Sequence, residues 1–192
     1  MVGPYSIIEM LRDFVERVNA LQIEYMVTGS FAMSAYGEIR TTRDIDIVVQ
    51  IDERNVQPLT EAFGENYYLS DISIRRAIAR RSMFNIVDNE HGAKIDCIVQ
   101  KDNDFARESF GRRRMAKVSG VEFWTTTKED LIVAKLNWAR DSHSEMQIRD
   151  IANLTATEYD SEYVETWITS LGLKAIWAEV EKWKIQHLRS SN

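Results

Sequence analysis

Cysteine is almost absent from the chain: Cys97 is the single one in 192 residues. That excludes an intrachain disulfide and suits a reducing compartment, so a cytoplasmic protein is expected. Histidine is scarce too, and the three present form no zinc-ligand pattern. No apolar run reaches the roughly 18 residues that a membrane span needs. The first residues lead directly into an amphipathic helix, with no signal-peptide pattern. Internal repeats and low-complexity linkers are missing as well. Positive charge is in the minority, with a formal net charge of −6. No overall basic field therefore favours nonspecific nucleic-acid binding, and no duplex-DNA partner is expected; a local basic groove stays open. The length allows one domain, or one domain with an added lobe, around a sizeable core.

What is present concentrates between Thr28 and Gln50, T-G-S-F-A-M-S-A-Y-G-E-I-R-T-T-R-D-I-D-I-V-V-Q. An apolar strand, Tyr25-Met26-Val27, leads into it. The chain turns at Gly29-Ser30 into a short helical segment and returns through Arg40-Thr41-Thr42-Arg43 into a strand carrying Asp44 and Asp46. Side chains alternate along a strand, so the two carboxylates share one face while Ile45, Ile47 and Val49 take the other. Two carboxylates about 4 Å apart repel by roughly 4 kcal/mol at an effective dielectric of about 20. A cation is needed to offset that, and oxygen ligands favour a hard divalent ion, Mg²⁺ first with Mn²⁺ as its substitute.

Two further signals belong with this one. Gly29 lets the backbone approach a ligand closely, and the N–H groups that follow are suited to an anion; a plain turn is the other reading. Lys94-Ile95-Asp96-Cys97-Ile98-Val99 reads as a second strand with Asp96 among apolar residues, a costly position for an unpaired carboxylate. If that strand lies beside the first, three carboxylates converge, as a two-metal site requires. Arg40 and Arg43 either stand near phosphates or orient the carboxylates, or they belong to a solvated loop.

The remaining pattern surrounds this unit. Ser6 to Gln22 is predicted to be a helix on Ile7, Ile8, Leu11, Phe14, Val15, Val18 and Leu21, capped by Ser6 with Glu9. Helices are predicted at 56–63 and 71–81, a short strand at 67–69, and a hairpin from 83–88 and 93–100 with His91 in its turn. Arg75, Arg76, Arg80 and Arg81 read as a charged outer face, with a phosphate or RNA contact as the sharper alternative. Cys97 falls opposite Asp96 and reads as core. A helix over 105–114 ends in Arg112-Arg113-Arg114, a solvated run or a substrate-facing rim. A strand pair follows around Gly120.

From Thr127 the pattern is helical. Leu131, Ile132, Leu136 and Ala139 form an apolar stripe, and Lys135 lies on or beside it, so it either reaches solvent or has an anionic partner. Asp150 is expected to contact Lys135 or Arg140. Helices over 147–155, 161–171 and 173–188 complete this part, with Trp167, Trp177 and Trp183 expected in its core.

The Gly-Ser turn, R-T-T-R-D-I-D-I-V-V and the later strand with one aspartate together resemble the nucleotidyltransferase superfamily related to polymerase beta. T-T-T-K-E-D-L-I-V-A-K-L-N-W-A-R and R-D-I-A-N-L add similarity to the minimal bacterial nucleotidyltransferases of the AbiEii toxin type. The resemblance covers about 5–177. It implies an α/β (α+β) fold, a short mixed sheet flanked by helices in a catalytic core over 1–126, with a C-terminal helical lobe over 127–192. It implies transfer of a nucleoside monophosphate from a nucleoside triphosphate to an acceptor hydroxyl on RNA, protein or a small molecule. Asp44, Asp46 and Asp96 would be the catalytic metal ligands. Gly29, Ser30, Arg40, Arg43 and Lys135 would face the nucleotide. An antitoxin protein would be the partner of a toxin of this type. The alternatives are a non-catalytic nucleotide-binding or interaction domain, against which the three carboxylates argue, and an antibiotic nucleotidyltransferase.

Overall fold

The structure is a computed structural model that describes residues 4–38, 44–142 and 144–188. It divides into two compact units, Met1–Thr126 and Thr127–Asn192.

The first unit opens with α1 (Pro4–Ala20). Ile7, Met10, Leu11, Phe14, Val15 and Val18 are buried at helical spacing. The helix begins two residues ahead of the expected Ser6 cap, because a proline fits the first turn, where its missing N–H is not needed. Then come β1 (Tyr25–Thr28), the single-turn α2 (Gly29–Ala32) running on into a 3₁₀ turn, β2 (Asp44–Val49) and α3 (Val56–Phe63). The edge strand β3 (Tyr67–Tyr68), α4 (Asp71–Arg80), β4 (Met83–Asp88) and β5 (Lys94–Val99) follow. The unit closes with α5 (Asp104–Gly111), β6 (Arg114–Val118) and β7 (Val121–Thr125). Positive φ angles at Ser119 and Gly120, 49° and 82°, give the tight turn that matches the twist of the β6–β7 hairpin. Arg114 therefore opens a strand and does not end a helix.

The strands form one mixed seven-stranded sheet in the order β3-β4-β5-β2-β1-β7-β6. β2 is central, antiparallel to β1 and parallel to β5. Burial along β2 alternates, with Ile45, Ile47 and Val49 buried and the residues between them half-buried. The buried side continues through Tyr25 and Val27 on β1 and through Ile95, Cys97 and Val99 on β5. It packs on α1, where the Phe14 ring meets Tyr25 edge-on at 5.9 Å and lies 6.0 Å from Phe63. The opposite side of β2 is left for the carboxylates.

The second unit consists of α6 (Lys128–Ser142), α7 (Glu145–Leu154), α8 (Ser161–Ser170) and α9 (Lys174–Leu188). Leu131, Ile132, Leu136, Ile148, Ile151, Val164, Ile168, Leu173 and Val180 are among its buried residues. Trp167, Trp177 and Trp183, expected in this core, are half-buried. Aliphatic side chains fill the interior, and the wide indoles lie across its margin, where Trp183 stacks on His187 at 3.9 Å. No described helix is long and apolar enough to cross a membrane.

Phe14 links α1 to the sheet and to α3, so Phe14→Ala is expected to cost about 3–5 kcal/mol. Urea denaturation would show it as a lowered midpoint with an unchanged slope.

Candidate active site

The parallel register of β2 and β5 sets Asp46 beside Asp96 and Asp44 beside Lys94. Neighbours across a ladder point to the same side of the sheet, and so do residues two apart on one strand. Asp44, Asp46, Lys94 and Asp96 therefore share one face. Asp44 and Asp46 are half-buried, while Asp96 is 8% exposed. The two strands are neighbours, as the expectation required, and the three carboxylates stand on one face.

Two residues that the sequence reading passed over complete the cluster. The Lys94 ammonium lies 3.0 Å from Asp96 Oδ2 and 3.6 Å from Asp44 Oδ2. Burial opposes its charge, but the hydrogen bond to Asp96 and the charges of Asp96 and Asp44 outweigh burial and raise its pKa above the ordinary lysine value. Asn85 stands across from Asp96 on β4, and its amide donates to Asp96 Oδ1. The signals were legible: K-x-D puts both side chains on one strand face, and Asn85 is a polar residue between the buried Phe84 and Ile86.

Gly29 follows β1, at whose end Thr28 pairs with Asp46. Its φ is +63°, and a Cβ there would stand 2.0 Å from Asp46 Oδ2. The close approach that the glycine permits is to a carboxylate of the cluster. Any larger residue at 29 would collide with Asp46 and would also carry left-handed strain. Ser30 is half-buried in the turn of α2 just beyond it. Arg40 and Arg43 lie outside the described residues.

Among the described residues, no three histidine, cysteine or acidic side chains already stand in a metal-holding group. Lys94 instead bridges Asp44 and Asp96. The carboxylate donors are nonetheless all oxygens and lie on one face, a chemistry that suits a hard divalent ion.

The other candidates resolve differently. Lys135 is 4% exposed, and its ammonium lies 3.0 Å from Asp150 Oδ2 and 3.1 Å from Gln147 Oε1, both buried. The anionic partner that its position called for is Asp150. Cys97 is buried, and burial pushes its thiol pKa up, as befits core. His91 sits in the hairpin turn with Nδ1 3.0 Å from Asp88 Oδ2, a hydrogen bond that raises its pKa. Arg75 and Arg76 are exposed, Arg75 pairing with Glu53. The Arg112–Arg114 run is not simply solvated: Arg113 lies over the Phe110 ring at 4.3 Å and pairs with Glu24 at 2.6 Å, while Arg114 lies over Tyr36 at 4.6 Å.

Residues 5–190 match the family described as "Nucleotidyltransferase of unknown function (DUF6036)". The chain belongs to this nucleotidyltransferase family. The enzyme's fold is shared by TM1012 of Thermotoga maritima, a protein with a nucleotidyltransferase designation, at 16% identity and a TM-score of 0.52 over 76% of this chain and 92% of that one. It is also shared by the lincosamide antibiotic adenylyltransferase LnuA in its lincomycin-bound structure. There the identity is 15% and the TM-score 0.51, over 80% of this chain and 97% of that one. At such identities the likeness is one of fold. No curated protein matches the nucleotidyltransferase in sequence.

Two variants probe these placements. Gly29→Ala is expected to lose about 1–3 kcal/mol of stability in a thermal melt, through left-handed strain and the collision with Asp46. Lys135→Met, which leaves Asp150 charged and buried, is expected to cost about 3–5 kcal/mol. The Lys135→Met/Asp150→Leu pair should recover most of that in the same denaturation series.

Proposed function

We propose that this enzyme moves a nucleoside monophosphate from a nucleoside triphosphate to an acceptor hydroxyl. The observation that carries the reading is the side-by-side placement of Asp46 and Asp96 on parallel neighbours, with Asp44 on the same face. The acceptor oxygen attacks the α-phosphorus in line. The new O–P bond forms as the bond to the β-phosphate oxygen breaks, and pyrophosphate leaves. Asp96 helps to take up the acceptor's proton, while Asn85 donates to its Oδ1 and keeps the carboxylate oriented. Asp44, Asp46 and Asp96 would hold two Mg²⁺, for which Mn²⁺ can substitute, supplying Lewis-acid stabilisation of the phosphoryl oxygens and a more acidic acceptor hydroxyl.

Gly29 and Ser30, which follow directly on β1 where it pairs with Asp46, are assigned to the phosphates, together with Arg40 and Arg43 of the connecting segment. Lys135 was the other candidate for the triphosphate. Its buried pair with Asp150 supports a structural role, since leaving that pair would strand a buried carboxylate.

The acceptor is RNA, a protein or a small molecule such as an antibiotic. The resemblance of the T-T-T-K-E-D-L-I-V-A-K segment to AbiEii-type enzymes supports the toxin half of a toxin–antitoxin pair. A neighbouring gene for a small antitoxin would bear on that. The single thiol, buried and unpaired with another, supports a reducing cytoplasm.

Transfer from α-labelled nucleotide tests the reaction, with each triphosphate offered separately to total RNA, lysate protein, lincosamides and aminoglycosides. Label is expected in one acceptor class. Asp46→Asn should lower transfer by roughly 10²–10³-fold or more, with the metal-free melting temperature unchanged or raised by the loss of carboxylate repulsion. Full activity in Asp46→Asn would remove the metal assignment.

A further inference from the structure

Lys94 opens β5, an inner strand of the sheet paired on both sides. It pairs in register with Asp44, and its ammonium lies on Asp96 Oδ2 at 3.0 Å and Asp44 Oδ2 at 3.6 Å. Both carboxylates are ones that the proposed reaction assigns to the metal. An ammonium and a divalent ion cannot hold the same oxygens at once, because each takes the lone pairs the other needs and the two cations repel. The surroundings suit an exchange of one for the other. The Lys94 side chain is 33% exposed and stands on the first residue of β5, so its head can reach solvent without moving the strand. Asp96 is far more enclosed, at 11% side-chain exposure, and Asn85 holds it from β4 by its other oxygen. When the ammonium leaves, that carboxylate keeps its orientation.

We infer, on the reading of a metal-dependent transferase, that Lys94 is a tethered counter-ion of the metal site, holding Asp44 and Asp96 until the metal displaces it. It is a positioning residue. It keeps two ligands aligned on the strand face before metal arrives, and its displacement weakens metal binding to the resting enzyme. A residue with a merely structural role would, when removed, weaken metal binding or leave it alone. A competitor, when removed, strengthens it.

Mn²⁺ alone is the probe, titrated into the metal-free full chain by electron paramagnetic resonance of the free ion. The proteins are wild type, Lys94→Met, Lys94→Gln and Asp46→Asn. Lys94→Met is expected to bind Mn²⁺ about tenfold or more tightly than wild type, as removal of a like charge a few ångströms from the ion requires. Its melting temperature should fall in chelator and rise with Mn²⁺ by more than the wild-type rise. Lys94→Gln, which can still donate to Asp96, keeps the test open where the methionine variant does not fold, and should tighten binding in the same direction. Equal or weaker Mn²⁺ binding in the folded Lys94 variants overturns the inference. If Asp46→Asn weakens Mn²⁺ binding while the Lys94 variants match wild type, the metal site stands and the inference alone falls. If Asp46→Asn leaves binding untouched, the metal reading falls and takes the inference with it.

Discussion

Repulsion between carboxylates gathered on one sheet face is the constraint on which the rest of the first unit depends. Asp44, Asp46 and Asp96 are brought together by the alternation of two strands and by one parallel register. The fold accommodates that by spending its apolar residues elsewhere. The other side of the same strands carries Ile45, Ile47, Val49, Ile95 and Val99, all buried, and α1 covers it with Phe14 against Tyr25. The carboxylate side is held by polar neighbours in place of a packed core. Asn85 takes one oxygen of Asp96, and Lys94 spans from Asp96 to Asp44. The sheet thus has a packed apolar face and a carboxylate face, and β2 contributes to both through a two-residue period.

Gly29 shows how tightly the carboxylate face is fitted. A glycine in a turn is commonly explained by its own backbone, and here φ is indeed positive. The Asp46 carboxylate adds a second requirement, since it fills the space where a side chain would start. The backbone leaving β1 and the carboxylate on β2 are complementary surfaces. The Gly-Ser and D-x-D signals, separated in sequence, are one feature in space.

How much of this the sequence disclosed follows from the range of each interaction. Alternation along β2 and the amphipathic stripe of α1 are local, and they were legible in the residues themselves. That β5 would lie beside β2 was stated only as a condition, because a parallel pair is joined through a long crossover and its register leaves no local mark. Lys94 and Asn85 left local marks in the sequence, but the contacts of Lys94 with Asp44 and of Asn85 with Asp96 run across strands. Arg113 was read by its neighbours in sequence, a run of three arginines, whereas the Phe110 ring and Glu24 decide its surroundings. The indoles of the second unit were placed inside by hydrophobicity alone, while their width leaves them at the margin.

The two units treat charge in opposite ways. Among the described residues of the second, the buried ions Asp130, Lys135 and Asp150 are closed off by fixed partners. Asp130 accepts from the Thr127 and Tyr163 hydroxyls, each at 2.6 Å, and Lys135 is bound to Asp150 and Gln147, with every member of that trio almost fully enclosed. Breaking such a group leaves a buried charge with nothing to replace its partner, so these arrangements serve as permanent structure. In the first unit the Asp44 side chain is 49% exposed and the Lys94 side chain 33%. Solvent can reach both, which is what the proposed exchange with an incoming ion needs. A buried pair that cannot exchange holds a fold; a half-open pair that can exchange leaves its carboxylates available to an ion and, through it, to a substrate. By that criterion the face of β2 and β5 suits the proposed chemistry, and the buried pair of Lys135 with Asp150 suits a structural role.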